Sequence, residues 1–322
     1  MGRKLIRDLA EGGAQVRAFV KNQAQAELTE GAGATEAFIG DIRNPGDVAR
    51  SLKGIRQVFH AAPTSVIHEL PIAEAIVTAS RANGVEHIVF HSVIHPEIAE
   101  LFHHQEKGRV EQLLQASGVP TTSLRSSHFM QNYLDFWEFL LAGTLPYPTS
   151  PDRLMGVVDV EDVSEVGARV LTSPDAHLGK TYDLSTVEIT RRQMAEIWGE
   201  VLGHTVTAVR IPPSSVVNPL RAAGSMGAVV QQSVRATHAH GLPHLVRAVR
   251  ESSNVRGVRG WTPEAKQCYV EMMQYYDKNG LPAGDMTVLP TLLGRPATTY
   301  MEFARREAVR RGAVVPAATV VP

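Results

Sequence analysis

The sequence predicts an α/β protein built on a doubly wound, mostly parallel sheet. Three observations carry that prediction. Residues 2–20 read as a helix followed by a strand, and the same alternation recurs to about residue 125. Glycines close the helical patterns at Gly12-Gly13, Gly84 and Gly118. The chain's 322 residues also suffice for one large core with a smaller annex.

In order, Leu5, Ile6 and Leu9 recur at helical spacing, and Gln15 to Val20 alternates as a strand. A polar helix around Gln25 to Thr29 and a strand from Thr35 to Asp41 follow, then a short helix from Asp47 to Leu52. Arg56 to Pro63 forms the next strand and its turn. A helix from about Glu69 to Asn83, a strand from Glu86 to Ser92, a helix from about Ala99 to Ser117 and a strand from Thr121 to Arg125 complete the rhythm. Beyond Phe129 the signals loosen. Met130 to Leu141 reads as helical, and Gly143 to Pro148 as a break. Val157 to Asp162 leads into a helix through Leu171, and Lys180 to Leu184 is a strand. Thr190 with Gln193 forms a capping box for a helix through Leu202. Helices resume over Thr262 to Asn279 and Thr298 to Arg311. The expected organisation is a sheet domain over 1–146 and a C-terminal α+β substrate region over 147–311, with an insertion at about 213–259 and a disordered tail over 312–322.

Lys and Arg total 32 against 33 Asp and Glu, so no field favours nucleic acid or an anionic membrane. One cysteine, Cys268, excludes an internal disulfide and reads as core packing; with no signal-peptide pattern, a cytoplasmic setting is expected.

In a dinucleotide-binding βαβ unit a buried strand and a G-x-G-x-x-G loop precede the first helix, and the last glycine opens it. Gly2 occupies that last position, so the Rossmann-like unit lacks its first strand and glycine-rich loop within this sequence. The strand ending at Val20 carries no acid for a ribose 2′-hydroxyl; Lys21 suits the 2′-phosphate of NADP instead, making NADPH the expected coenzyme over NADH. Asp41 and Ile42 stand where an adenine ring would lie, and Ala62 allows close approach of a dinucleotide backbone. Ser92 ends a strand, and His103 and Lys107, four apart, rise from one helix face. Such a group suits hydride-transfer chemistry: His103 supplies a proton near neutral pH, Lys107 binds ribose hydroxyls and Ser92 bonds the substrate oxygen. The same pattern also describes an ordinary solvated helix face.

The stretches VRAFVKN, GDIRNPGDVARSLKGIRQVFHAAP, KGRVEQLLQASGVPTTSLRSSHFMQN behind His103, VVDVEDVSEVGARVL, GKTYDLS and LLGRPATTYMEFAR resemble the NmrA-like family, atypical members of the short-chain dehydrogenase/reductase superfamily, from Gly2 to about Ala308. The resemblance implies a Rossmann domain that binds NAD(P) and a small substrate region. It implies either an NADPH-dependent reductase of a small quinone, azo or imine acceptor, or a non-catalytic dinucleotide sensor that signals to a protein partner. It sets His103 where the superfamily's catalytic tyrosine would stand, matches Lys107 to its lysine, and places Phe129, Met130 and Asn132 beside the nicotinamide and substrate. The tyrosine is absent, a departure from alcohol–ketone chemistry. For the absent loop, either the start codon is assigned too late or a true truncation has left a remnant without cofactor binding. His238, His240 and His244 in the inserted segment lack Cys or acidic companions, and His87, His91 and His95 cross from strand into turn, so no metal is expected.

Overall fold

The computed structural model describes residues 1–237, 241–251, 258 and 260–313. The expected alternation is present. Its first part runs α1 (Gly2–Glu11), β1 (Arg17–Val20), α2 (Gln23–Glu30), β2 (Glu36–Ile39), α3 (Pro45–Ser51), β3 (Gln57–His60), α4 (Leu70–Asn83), β4 (His87–Val93), α5 (Phe102–Ala116) and β5 (Thr121–Ser126). Asn22 and Asn44 accept backbone N–H bonds as side-chain caps of α2 and α3, which fixes the starts that periodicity blurs. α5 begins at Phe102 rather than near Ala99, because Ile98 and Leu101 close turns onto His95 and Ile98. α4 ends as read, on Gly84 at φ 69, a left-handed conformation that costs glycine nothing.

β6 (His128–Phe129) follows, then a 3₁₀ turn over Met130–Phe136, α6 (Trp137–Leu141), β7 (Thr144–Tyr147), β8 (Leu154–Val158), α7 (Val160–Thr172), β9 (Thr181–Leu184) and β10 (Val187–Thr190). α8 (Arg191–Leu202), β11 (Thr207–Arg210), α9 (Pro219–Thr237), α10 (Leu242–Glu251), α11 (Pro263–Asn279), α12 (Val288–Leu293) and α13 (Tyr300–Arg310) complete the described elements. The stretch read as a break at Gly143 to Pro148 is strand β7; among the described residues it pairs only with β11, so Pro146 removes no ladder bond there on a second side. The α8 capping box is present as read, with Thr190 and Gln193 bonded reciprocally. The segment that carries no clear pattern is helical where described, as α9 and α10. His238, His240 and most of the tail, over 314–322, lie outside the described residues.

The chain forms two interleaved compact units: residues 1–127, 160–185 and 284–297, and residues 128–159, 186–283 and 298–322. In the first, β3, β4, β5 and β9 form a parallel sheet, and β1 pairs with β2, also in parallel. β1 and β3 do not pair with each other. They are linked through side chains instead. Val16 and Phe59 both pack on the Leu5–Leu9–Ala168 cluster of α1 and α7, and the Arg17 guanidinium donates to the Ser51 and Lys53 carbonyls at 2.8 and 2.7 Å. A larger core, with Ile72, Ile76, Ile88, Phe90, Val110 and Leu114, fills the space between α4, α5 and the sheet. In the second unit β8 joins β6 in parallel and β10 in antiparallel. No described helix is long and apolar enough to cross a membrane.

Candidate active site

Ligands of doubly wound sheets bind outside the carboxyl ends of the strands. Lys21 directly follows β1, Asp41 and Ile42 follow β2, Ala62 lies just past β3 and Ser92 near the end of β4. Gly2 is the first residue of α1, and a Cβ there meets nothing within 4 Å. Lys21 is exposed, its N–H donating to Gln25 Oε1 at 3.0 Å. Asp41 is exposed and gripped by Arg43, whose Nε and Nη2 donate at 3.1 and 3.2 Å; those bonds hold the carboxyl below its usual range. Ile42 packs on the α3–α4 core.

The centre of the site is Lys107 on α5, whose side chain is only 5% exposed. Its Nζ lies 2.7 Å from Glu69 Oε2, donates to the His91 carbonyl at 3.0 Å, and sits 4.8 Å from the centre of the Phe90 ring. An ammonium has three donors. Two are engaged, and among the described residues the third meets no acceptor. In the residue after His91, the buried Ser92 hydroxyl also has no hydrogen-bond partner among the described residues. A buried polar atom left so costs about 1–3 kcal/mol, which a ligand that bonds it recovers.

Glu69 and His60 are the site residues that sequence reasoning missed. Glu69 precedes α4 but caps nothing with its side chain; the Leu70 N–H donates instead to Glu106 Oε1 at 2.9 Å. Freed from capping, the Glu69 carboxylate turns inward. Burial pushes its pKa up, but His60 and Lys107 outweigh burial and hold it down to about 2. His60 Nε2 lies 2.9 Å from Glu69 Oε1. The His60 ring stacks on Phe90 at 5.5 Å, its register partner on β4.

His103 shares the α5 face with Lys107, as its spacing predicts, but it does not titrate near neutrality. Burial first, and then the Lys107 charge, push its imidazole down to about 3. At neutral pH it is an uncharged ring that can donate one N–H. His91, partnered by Ser126 Oγ at 3.1 Å, is also pushed down to about 3 by burial and Lys107, and His104 to about 4 by burial.

These three rings predict acid lability. Each folded imidazole refuses a proton that the unfolded chain accepts below about pH 6.5, so unfolding takes up protons and stability falls with pH. Near pH 5 the loss is about 4 kcal/mol per pH unit, the share of about three histidines. Urea unfolding at pH 7 and pH 5 measures it; an uptake near zero protons contradicts the buried placement.

Phe129 and Asn132 belong to the second unit. The Asn132 amide donates to His128 Nε2 at 3.2 Å, and the same nitrogen lies 3.0 Å from the Tyr147 hydroxyl. Of the other histidines, His87 Nε2 meets Thr122 Oγ1 at 2.9 Å, His95 Nδ1 meets Glu97 at 3.1 Å, and His244 Nδ1 meets Glu138 at 2.8 Å. Cys268 is half-buried on α11.

Among known proteins, the chain is 24% identical over 317 residues to an NAD(P)H azoreductase of Xenophilus azovorans, covering 97% of this chain and 96% of that one. It is 25% identical over 213 residues to quinone oxidoreductase 2 of Escherichia coli, covering 65% and 73%. The fold matches the crystal structure of a Citrobacter triphenylmethane reductase complexed with NADP(H) at a TM-score of 0.70, with 18% identity and 95% of each chain covered. The model of the NmrA-like family matches residues 1–253, and the chain belongs to that family.

Proposed function

We propose that this protein is an NADPH-dependent reductase of a small unsaturated acceptor of the quinone, azo or imine class. The observation that carries the reading is Lys107: a buried ammonium with one donor unspent, beside the unpartnered hydroxyl of Ser92, at the carboxyl end of β4. The coenzyme, when bound, supplies the hydride equivalent. Lys107 holds the nicotinamide ribose hydroxyls with its remaining N–H, and Ser92 Oγ bonds the substrate oxygen or nitrogen. His103, neutral at pH 7, donates its N–H there as a hydrogen bond rather than acting as an imidazolium acid. Ala62 admits the dinucleotide backbone, the start of α1 at Gly2 lends its dipole to the phosphates, and Asp41 and Ile42 border the adenine. Phe129 and Asn132 contribute to substrate binding. The single cysteine fits a reducing, cytoplasmic setting.

Lys21 gives the preference for NADPH by meeting its 2′-phosphate. Lys21→Ala is therefore expected to lower the NADPH-over-NADH ratio of kcat/KM about tenfold, equivalent to about 1.4 kcal/mol, with NADH activity unchanged. An unchanged ratio removes Lys21 from the phosphate site.

NADPH oxidation with a panel of quinones and azo dyes tests the reading itself. Turnover with at least one acceptor supports it. A dinucleotide sensor is the second reading, favoured by a His103 that stays neutral at pH 7. Tight NADPH binding without turnover of any acceptor selects the sensor.

A further inference from the structure

We propose that Glu69, steadied by His60, is the positioning residue for Lys107: it keeps the buried ammonium charged and turns its spare N–H outward. The proposal rests on the reading of Lys107 as the coenzyme-binding cation. A lysine taken out of water readily gives up its proton, because burial penalises the charged form. The other contacts of this ammonium, a backbone carbonyl and the face of Phe90, offer only partial charge. Among the described residues, Glu69 is the acidic side chain in ion-pair contact with it, at 2.7 Å. The remaining titratable groups around it cannot substitute. His91 and His103 each feel the Lys107 charge and stay neutral well below pH 7, as does His104 next to them. The amino group of Met1, felt at His91 and pushed down by burial, carries no negative charge in either protonation state. His60 lies on the far oxygen of Glu69, so it fixes the carboxylate from the side opposite Lys107. Three elements thus converge on one carboxylate: the end of β3, the start of α4 and the middle of α5. That α4 is capped by Glu106 from α5 rather than by Glu69 leaves this carboxylate free for the task.

Glu69→Gln keeps the side chain's shape and an acceptor while removing its charge. In protein labelled with ¹³C at lysine Cε, the Lys107 signal, assigned with Lys107→Met, is followed against pH. The expected result is a titration midpoint at least one pH unit lower in the Glu69→Gln protein than in the wild type. NADPH affinity is expected to follow: near wild type well below the lowered midpoint and progressively weaker than wild type above it, whereas a merely structural loss weakens binding equally at both. An unmoved Lys107 midpoint overturns the proposal. If the midpoint moves but the wild type itself binds no NADPH, Glu69 still governs Lys107 and it is the coenzyme reading that fails. Should Glu69→Gln not fold, the double variant with Lys107→Met decides. It leaves no charge unpaired and is expected to fold; if it too stays unfolded, Glu69 serves the fold without Lys107 and the proposal is overturned.

Discussion

Lys107→Met is expected to weaken NADPH binding roughly 10- to 150-fold, the equivalent of one charge-assisted hydrogen bond worth about 1.5–3 kcal/mol, and to reduce turnover at least as much. The ammonium does two things at once in this fold. On the proposed reading its unspent donor meets the coenzyme, and its charge neutralises a carboxylate only 2% exposed. Methionine keeps most of the apolar stem over Phe90 but leaves Glu69 with His60 alone. A thermal transition lower than that of the wild type is expected with it, because a buried charge stripped of its partner is costly. Adding Glu69→Gln to Lys107→Met should recover part of that stability and none of the binding. Recovery of both would mean that Lys107 acts on the fold and not on the coenzyme.

The second large effect lies in the other unit. Arg191, the first residue of α8, is fully buried, and burial pushes its guanidinium down to about 10. Its Nη1 donates to the carbonyls of Leu145 on β7 and Val209 on β11, both at 2.9 Å, and its Nη2 donates to the Thr149 carbonyl. A cation at a helix N-terminus opposes the helix dipole, so its fork of donors, not its charge, accounts for its place there. It pins the β7–β11 pair and the turn beyond β7 to one helix. Arg191→Met removes these donors from buried acceptors and is expected to cost about 3–5 kcal/mol, a fall in Tm on the order of 10 °C. Arg191→Lys keeps the charge but cannot fork across three carbonyls, and should fall between. A shift of less than about 2 °C for the methionine variant would remove Arg191 as the clamp.

The alternation of the first unit is legible in the sequence because β4 and its helices display clear apolar patterns. β4, His87–Val93, is a nearly unbroken buried run, and α1 buries Leu5, Ile6 and Leu9 along one stripe. The second unit hides its strands. β7 contains a proline that only a one-sided pairing tolerates. α9 carries two glycines, Gly224 and Gly227, which weaken its helical reading. Within the site, Lys107 and His103 are legible because their spacing alone puts them on one helix face. Glu69 is not. A glutamate at the start of a helix reads as a first-turn acid serving the dipole, and only the packing of α5 against α4 turns it toward Lys107. The titration of His103 is equally a property of its surroundings: sequence supplies an imidazole, and burial beside a lysine decides that it stays neutral.

A titration of the purified protein with NADPH, followed by the nicotinamide fluorescence, reaches the central claim most directly. A saturable change with a dissociation constant in the micromolar range, weakened by Lys107→Met, is the predicted result. A response that stays linear up to millimolar NADPH would contradict it.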